Sequence, residues 1–282
     1  MHVSVVVTRY NEPDDLLARV LQGLAHQSLA GRGYEVRLYD QQKSDTLRRL
    51  CATLSSPSIE FCYCEAAPLP LSVTRNRGIR ESASDFVLLL DADAIPAPNW
   101  IAEMRAALDM PATGIVGSRV VPLWESREFL FARAARLRAY YSIFDHGPQL
   151  RETAWVIGAS FGLHRERVPG PHFLECLGRT PGSLRSGEDI ELCLRARRAG
   201  LRVLYVGTTA VEHAIAPARA SLRWMAPRIF AAGRQRASLG PVPGGLKTPA
   251  NRYDLLFAPL IVPLYLAGYL TAPRRSIVTP SE

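Results

Sequence analysis

Two aspartates one alanine apart, Asp91 and Asp93, close an unbroken apolar run over 86–90, and prolines follow at 96 and 98. In near-extended chain, residues two apart point to the same side and lie about 7 Å apart at most. Both carboxylates can therefore converge on one cationic object. A magnesium or manganese ion carrying a diphosphate is such an object, because hard divalent cations take oxygen ligands and leave positions open for phosphate. The same pair also suits a polar turn that simply ends a strand. Further on, Glu188 and Asp189 stand side by side ahead of Ile190 and Leu194. As part of an S-x-x-D pattern begun by Ser186 they read as a helix cap favoured by the macrodipole; as reactive groups, one of them is a general base. The two readings pull a carboxyl pKa in opposite directions, down at a helix N-terminus and up by burial. His213 lies in a short apolar stretch, where a satisfied core histidine and a metal ligand are both open. Asn11 and Glu12 close one more apolar run and Asp40 another. Four such clusters along one chain point to one shared site.

The elements that must position them follow an α/β pattern. Residues 3–8 read as a buried strand, and Asn11, Glu12, Pro13, Asp14 and Asp15 as a helix start with proline in the first turn. Leu16, Leu17, Val20, Leu21 and Leu24 give the helical stripe. Strands at 34–39 and 59–63 flank a helix near 47–54, the opening of a doubly wound nucleotide-binding half. A helix over 72–82 carries Arg75, Asn76, Arg77 and Arg80 into the central strand, which stops at Asp91. After it come a helix to 108, a strand at 114–121, a basic amphipathic helix at 125–141 and a strand at 155–163. The Pro/Gly-rich interval 169–187 reads as a loop over the site. A helix at 188–199, extended pieces at 202–206 and 210–214 and a basic helix at 219–237 complete the pattern. The domain is expected to span 1–240, with a Pro/Gly linker at 241–249 opening a tail over 241–282. Within that tail 255–272 is uncharged and apolar, with Pro259 and Pro263 expected to break regular helix. A membrane-embedded or surface-lying segment and one packed on the domain are both open for it.

Charge is uneven. From Arg195 onward 13 Lys and Arg face 3 Asp and Glu, whereas before it 21 face 23. The basic third suits an anionic partner such as a phospholipid surface, a polyprenyl phosphate or a nucleotide, or is a solvated basic face. Five cysteines without a C-x-x-C pair signal neither a disulfide framework nor a zinc ribbon. His172 and Cys176 are four apart, but the prolines at 169 and 171 favour a loop there. The apolar run 3–7 is too short for a signal-peptide core, so the start is read as a strand and the chain as cytoplasmic.

Taken in order, VVVTRYNE (5–12), LYDQQKSD (38–45), RNRGI (75–79), LLLDADA (88–94), GEDIELCLRARRAG (187–200) and VEH (211–213) resemble glycosyltransferase family 2 over roughly residues 3–240. The resemblance implies a GT-A, nucleotide-diphospho-sugar transferase fold: a Rossmann-like, mostly parallel sheet with helices on both faces. It also implies an inverting transfer from a nucleoside-diphosphate sugar, a UDP-sugar favoured, to a saccharide or lipid-linked acceptor, in cell-envelope glycan or glycolipid synthesis at the inner membrane face. Carried over, Thr8, Tyr10, Asn11, Glu12 and Asp40 hold base and ribose, and Arg75 lies near the diphosphate. Asp91 faces the ribose or a metal-bound water. Asp93 and His213 bind Mg2+ or Mn2+, Asp189 is the base, and Glu188 grips the acceptor.

The departures are specific. Arg9 stands where the family often has proline, and Asp40-Gln41-Gln42-Lys43 keeps only the first acid of a D-D-G-S motif. Of the processive Q-x-x-R-W, Arg223 and Trp224 are present while Ala220 replaces the glutamine, which implies a non-processive enzyme. A non-catalytic GT-A-like module docking on membrane or a protein through its basic third is the alternative. Nucleic-acid binding rests on charge alone and is not expected. A sugar nucleotidyltransferase would need a Gly-rich loop where Arg9-Tyr10-Asn11 stands.

Overall fold

A computed structural model describes residues 3–28, 33–125, 128–180, 183–184, 186–239 and 250–272. The valine run becomes β1 (Val3–Arg9), buried along its whole length as a strand covered on both faces must be. It lies between β2 (Tyr34–Asp40) and β4 (Phe86–Asp91), and β3 (Ile59–Glu65) flanks β2, all in parallel. The crossovers are α1 (Asp14–Ala25), α2 (Asp45–Leu54) and α3 (Leu71–Glu81). Leu17, Val20, Leu21 and Leu24 form the buried stripe of α1. Helix α3 approaches so closely that a Cβ on Gly78 would stand 2.4 Å from Val6 Cγ1. Only glycine allows that approach.

Beyond β4 the sheet continues through β8 (Ser160–His164), β6 (Thr113–Trp124) and β9 (Arg202–Ile215), with β5 (Ala94–Pro96) and β7 (Leu150–Glu152) on β9. Because β8 runs against both β4 and β6, strands β6 and β9 point the same way as β1 to β4. The carboxyl ends of these six strands meet at one edge, where open α/β sheets bind ligands. Helices α4 (Trp100–Asp109), α5 (Glu188–Arg198), α6 (Leu222–Leu239) and α7 (Arg252–Leu270) complete the described elements.

Several expectations are corrected. The basic stretch 125–141 is not one α-helix but two 3-10 segments, Leu130–Arg133 and Ala135–Tyr141, joined through extended Ala134. Residues 126 and 127 of it lie outside the described residues. The Arg136 N–H donates to Asp254 Oδ1 at 3.0 Å, so a carboxylate from α7 takes a donor that an α-helix would need internally. Of the expected strand 155–163, only Ser160 onward pairs, because Gly158 ahead of it spends its N–H on Asp189 and its carbonyl on Arg75. The pieces 202–206 and 210–214 are one strand, β9, whose pairing with β6 jumps from Val206 to Ala210. Pro13 is the N-cap of α1 rather than a first-turn residue, and α6 starts at Leu222 after a 3-10 turn, Pro217–Ala220.

Pro259 and Pro263 do not break α7, which is continuous. The missing N–H groups are tolerated because α6 props the helix. A Cβ on Gly233 would lie 2.0 Å from the Tyr265 carbonyl oxygen, and one on Gly268 equally close to that of Phe230. With the 3-10 segments these helices enclose a second apolar core of Phe129, Leu137, Tyr141, Met225, Ile229 and Ile261. The expected linker 241–249 lies outside the described residues. Among the described helices α7 alone is long and apolar enough to cross a membrane. It leaves Leu255, Leu256, Leu266, Tyr269 and Leu270 exposed.

Candidate active site

Strand β4 ends at Asp91, and the chain turns through Ala92 and Asp93 into β5, which pairs with the far part of β9 so that Ala94 stands opposite His213. The extra length of β9 beyond its bulge is what carries His213 to the acidic turn. Its Nε2 lies 3.3 Å from Asp93 Oδ1, and Arg219 Nη2 lies 3.2 Å from Asp93 Oδ2. Burial pushes the Asp93 carboxyl up, but His213 and then Arg219 outweigh it and hold the group well below the usual carboxylate range. Ligand atoms of Asp91, Asp93 and His213 lie within 4.8 Å of one another. Glu12 adds a third carboxyl nearby, its pKa raised by burial and by the charges of Asp93 and Asp91 although the Tyr10 N–H opposes this. Two carboxyls and an imidazole this close together could hold a cation.

The second acidic pair opens α5. The S-x-x-D cap does not form: Gly187, at φ +100°, is the N-cap, and Ser186 donates to Gln235 Oε1 at 3.0 Å. That left-handed position suits glycine, and a Cβ there would also meet the Gln235 side chain. Glu188 is buried and accepts at Oε1 from Arg75 Nη1 at 3.1 Å, while its Oε2 has no hydrogen-bond partner among the described residues. Asp189, half-buried, accepts from the Gly158 N–H at 2.9 Å and the Ile190 N–H at 2.8 Å. Burial first, and then the Asp189 charge, push Glu188 up to about 7; burial also raises Asp189, against the Ile190 N–H and Arg75. Desolvation thus outweighs the helix terminus at both carboxyls.

Arg75 joins the two acidic clusters. It projects from α3 into the protein and is 3% exposed, with Nη2 2.7 Å from Asp91 Oδ1 and 3.1 Å from the Gly158 carbonyl. One guanidinium therefore fixes the spacing between the β4 terminus and the start of α5.

Two cavities open over this edge. The first, about 350 Å³, is lined by Thr8, Tyr10, Asn11, Glu12, Asp93 and His213 among others. The second, about 310 Å³, is lined by Arg75, Glu188, Asp189, Trp155 and Gln235 among others. They share Asp91, Leu71, Tyr140, Ser142, Arg179, Leu184 and Arg228, so they form two chambers with Asp91 at the junction.

Asp40 is the predicted residue that the structure leaves out. It is fully buried and lines neither chamber. Its carboxylate accepts from Tyr63 Oη at 2.7 Å, the Gln42 N–H at 2.8 Å, the Ser44 N–H at 2.9 Å and Arg9 Nη1 at 3.3 Å. Arg9 also donates to the Glu12 carbonyl at 2.8 Å. The arginine that replaces a proline thus clamps the 9–12 loop to Asp40, and Asp40 shapes the chamber from behind. Gln41 reaches the chamber instead.

The residues missed from sequence are cationic. Arg179, Arg219 and Arg228 line the first chamber, and Arg136 lines the second. Arg228 lies 3.7 Å over the Trp224 ring and is lowered to about 10, by burial and then by the charges of Arg179 and Arg219. Arg223, the arginine of the R-W pair, is exposed and lines neither chamber. The signals for them were diffuse: the basic runs 125–141 and 219–237 for Arg136, Arg219 and Arg228, and the loop 169–187 for Arg179.

Comparison with known proteins bears on the family and the fold. Over 163 residues the chain is 28% identical to the "Pre-mycofactocin glycosyltransferase" of Mycobacterium tuberculosis, an alignment covering 57% of this chain and 33% of that protein. It is 23% identical over 249 residues to the "Succinoglycan biosynthesis protein ExoM" of Rhizobium meliloti, covering 85% of this chain and 75% of that protein. The chain thus spans a third of the length of the first relative. Among solved structures, GalNAc-T7 crystallised with UDP, GalNAc and Mn2+ superposes with a TM-score of 0.60 at 15% identity, over 98% of this chain and 52% of that one; at this identity the likeness establishes the GT-A fold. Residues 4–166 match glycosyl transferase family 2, and this chain belongs to that family.

Proposed function

We propose that this chain is an inverting, non-processive glycosyltransferase that moves a sugar from a nucleoside-diphosphate donor, a UDP-sugar favoured, to the hydroxyl of a saccharide or lipid-linked acceptor. One observation carries the reading: Asp93 and Asp189 face two chambers that meet at Asp91. The donor takes the Thr8–Glu12 side and the acceptor the Asp189 side. The acceptor O–H gives its proton to the Asp189 carboxylate while its oxygen bonds the anomeric carbon from the face opposite the diphosphate. The bond from that carbon to the diphosphate oxygen breaks, and its electron pair leaves with the nucleotide. One displacement inverts the centre. Glu188 holds the acceptor beside the base, and Arg75 keeps Asp91 and Glu188 in register.

The donor set of Asp91, Asp93 and His213 fits a divalent cation, and its imidazole favours manganese over magnesium. Such an ion would neutralise charge developing on the departing diphosphate. UDP is supported by the GalNAc-T7 structure with UDP and Mn2+, and an envelope glycan by the succinoglycan relative. We assign the exposed leucines of α7 to the cytoplasmic face of a membrane, as a peripheral contact that puts lipid-linked acceptors within reach.

The test is thermal unfolding with Mn2+ and each of UDP, GDP, dTDP and CDP, on the wild type and on Asp93→Ala, followed by turnover of the matching sugar nucleotide. Stabilisation by one nucleotide that needs the metal and is lost in the variant is expected. No shift with any nucleotide would leave a non-catalytic module.

A further inference from the structure

Resting on that reading of the site, we propose that Arg219 is a displaceable counter-ion. It neutralises Asp93 in the resting protein, gives up that carboxylate to the divalent cation, and turns its guanidinium onto the donor's diphosphate.

Asp93 offers two oxygens and both are engaged: Oδ1 faces His213 Nε2 and Oδ2 faces Arg219 Nη2 at 3.2 Å. His213 can remain beside a metal as a ligand. Arg219 cannot, because a guanidinium has no lone pair to give and carries the same sign of charge. A cation that takes Oδ2, whether by chelating both Asp93 oxygens or by sitting on that one, would therefore expel it.

The surroundings permit that movement. The Arg219 backbone is held, its N–H donating to the Ala216 carbonyl at 3.0 Å and its own carbonyl accepting from Tyr141 Oη at 3.4 Å. Its side chain is 29% exposed, and Asp93 is its one acidic partner among the described residues. Arg75 provides the contrast: 3% exposed and bound to two carboxylates and a carbonyl, it is built not to move.

A destination is also present. Arg219 and Arg228 flank the same indole, 6.0 Å and 3.7 Å from the Trp224 ring. With Arg179 and Arg9 they give the first chamber four arginines, and its acidic lining is Glu12, Asp91 and Asp93. Neither Arg179 nor Arg228 has a carboxylate oxygen within 4.0 Å among the described residues, though Arg179 is close enough to act on the charge of Glu188. A metal and a diphosphate arriving together would satisfy both sets, the metal on the carboxyls and the phosphate oxygens on the arginines. Arg223, four residues further on, is exposed and lines neither chamber.

This makes a prediction of opposite signs. Titrations of Mn2+ alone, followed by the paramagnetic signal of the free ion, and of UDP in saturating Mn2+, followed by calorimetry, are run on the wild type, Arg219→Gln, Arg223→Gln and Asp93→Ala. Arg219→Gln is expected to bind Mn2+ alone about tenfold more tightly, since a competing positive charge is gone, and UDP about tenfold more weakly. Arg223→Gln leaves both affinities unchanged. An Arg219→Gln protein with wild-type melting temperature whose Mn2+ affinity is unchanged or weaker overturns the counter-ion role, even where the wild type binds Mn2+ through Asp93 and the proposed function stands. If only Arg219→Gln binds the free metal, the counter-ion role is supported in its strongest form. If neither protein binds Mn2+ while UDP binds the wild type, the metal assignment is wrong and this inference falls with it.

Discussion

Replacing Arg75 by methionine keeps the stem and deletes the charge that joins the two acidic clusters. Three acceptors lose their donor: Asp91 Oδ1, Glu188 Oε1 and the Gly158 carbonyl. A hydrogen bond to a charged group is worth about 1.5–3 kcal/mol. Asp91 recovers water in part, its side chain being 29% exposed, whereas Glu188 does not. Breaking a buried ion pair by removing one partner costs about 3–5 kcal/mol, and that range is expected at pH 8. The cost should shrink below neutrality. Glu188 already has its folded pKa raised from 4.5 to about 7, so its contribution to stability is full below 4.5 and is lost as pH rises through about 7. Arg75 opposes that rise, and without it the folded pKa climbs further. The variant then keeps losing stability at pH values where the wild type has levelled off. At pH 6 Glu188 is mostly protonated in both proteins, and the difference should be about 1–2 kcal/mol smaller than at pH 8. Urea unfolding of both proteins at the two pH values measures this directly. An equal cost at pH 6 and pH 8, or a larger one at pH 6, would refute the assignment of Glu188 as the buried charge that Arg75 compensates.

Asp189→Asn should lower transfer by about 10²–10⁴-fold while leaving the Mn2+-dependent affinity for nucleotide unchanged, because the base acts on the acceptor side. The rate of transfer should climb with pH over a window displaced upward from that of an ordinary aspartate, since burial raises Asp189 and the base works ionised; a window at or below the ordinary aspartate value would contradict this. His213→Ala should weaken Mn2+ binding at least tenfold without changing the fold, as read by metal titration and circular dichroism. Gly187→Ala should destabilise the protein by about 1–3 kcal/mol in chemical unfolding, because φ is +100° and Gln235 occupies the Cβ position.

The strand order near the site was legible because β1 and β4 are short apolar runs ending in polar residues, a pattern that survives any tertiary context. Asp91, Asp93, Glu188 and Asp189 were legible for the same reason: an acid at the carboxyl end of a buried strand, or at the start of a helix, is placed by its own element. Residues placed by other elements were not. Asp40 ends β2 just as Asp91 ends β4, but Arg9 from β1, Tyr63 from β3 and the N–H groups of Gln42 and Ser44 turn it inward. The 125–141 stretch carries helical spacing, yet its donor at Arg136 is claimed from 118 residues away. Arg219 and Arg223 are equivalent in composition. Which of them faces the chamber depends on where the 3-10 turn ends and α6 begins, a matter of one turn that no local pattern decides.

That dependence runs further toward the C-terminus. Asp254 in α7 is 1% exposed, and its carboxylate accepts from the Arg136 and Ala250 N–H groups. It therefore fastens α7 to the 3-10 segment that carries Arg136, Tyr140 and Tyr141. Tyr141 in turn stacks on Trp224 at 5.3 Å, and Trp224 seats Arg228 and, more loosely, Arg219. A continuous chain of contacts thus leads from α7 to the arginines that face Asp93. An apolar helix whose outer face is exposed and whose inner face holds this segment is placed to bring the second chamber to a surface as well as to cover a core. The chamber walls themselves come from α6, through Arg228, Ala232 and Gln235, on the side away from the Gly233 crossing with α7. An acceptor held in that chamber would meet Asp189 with α6 and the 3-10 segment of Arg136 and Tyr140 between it and α7.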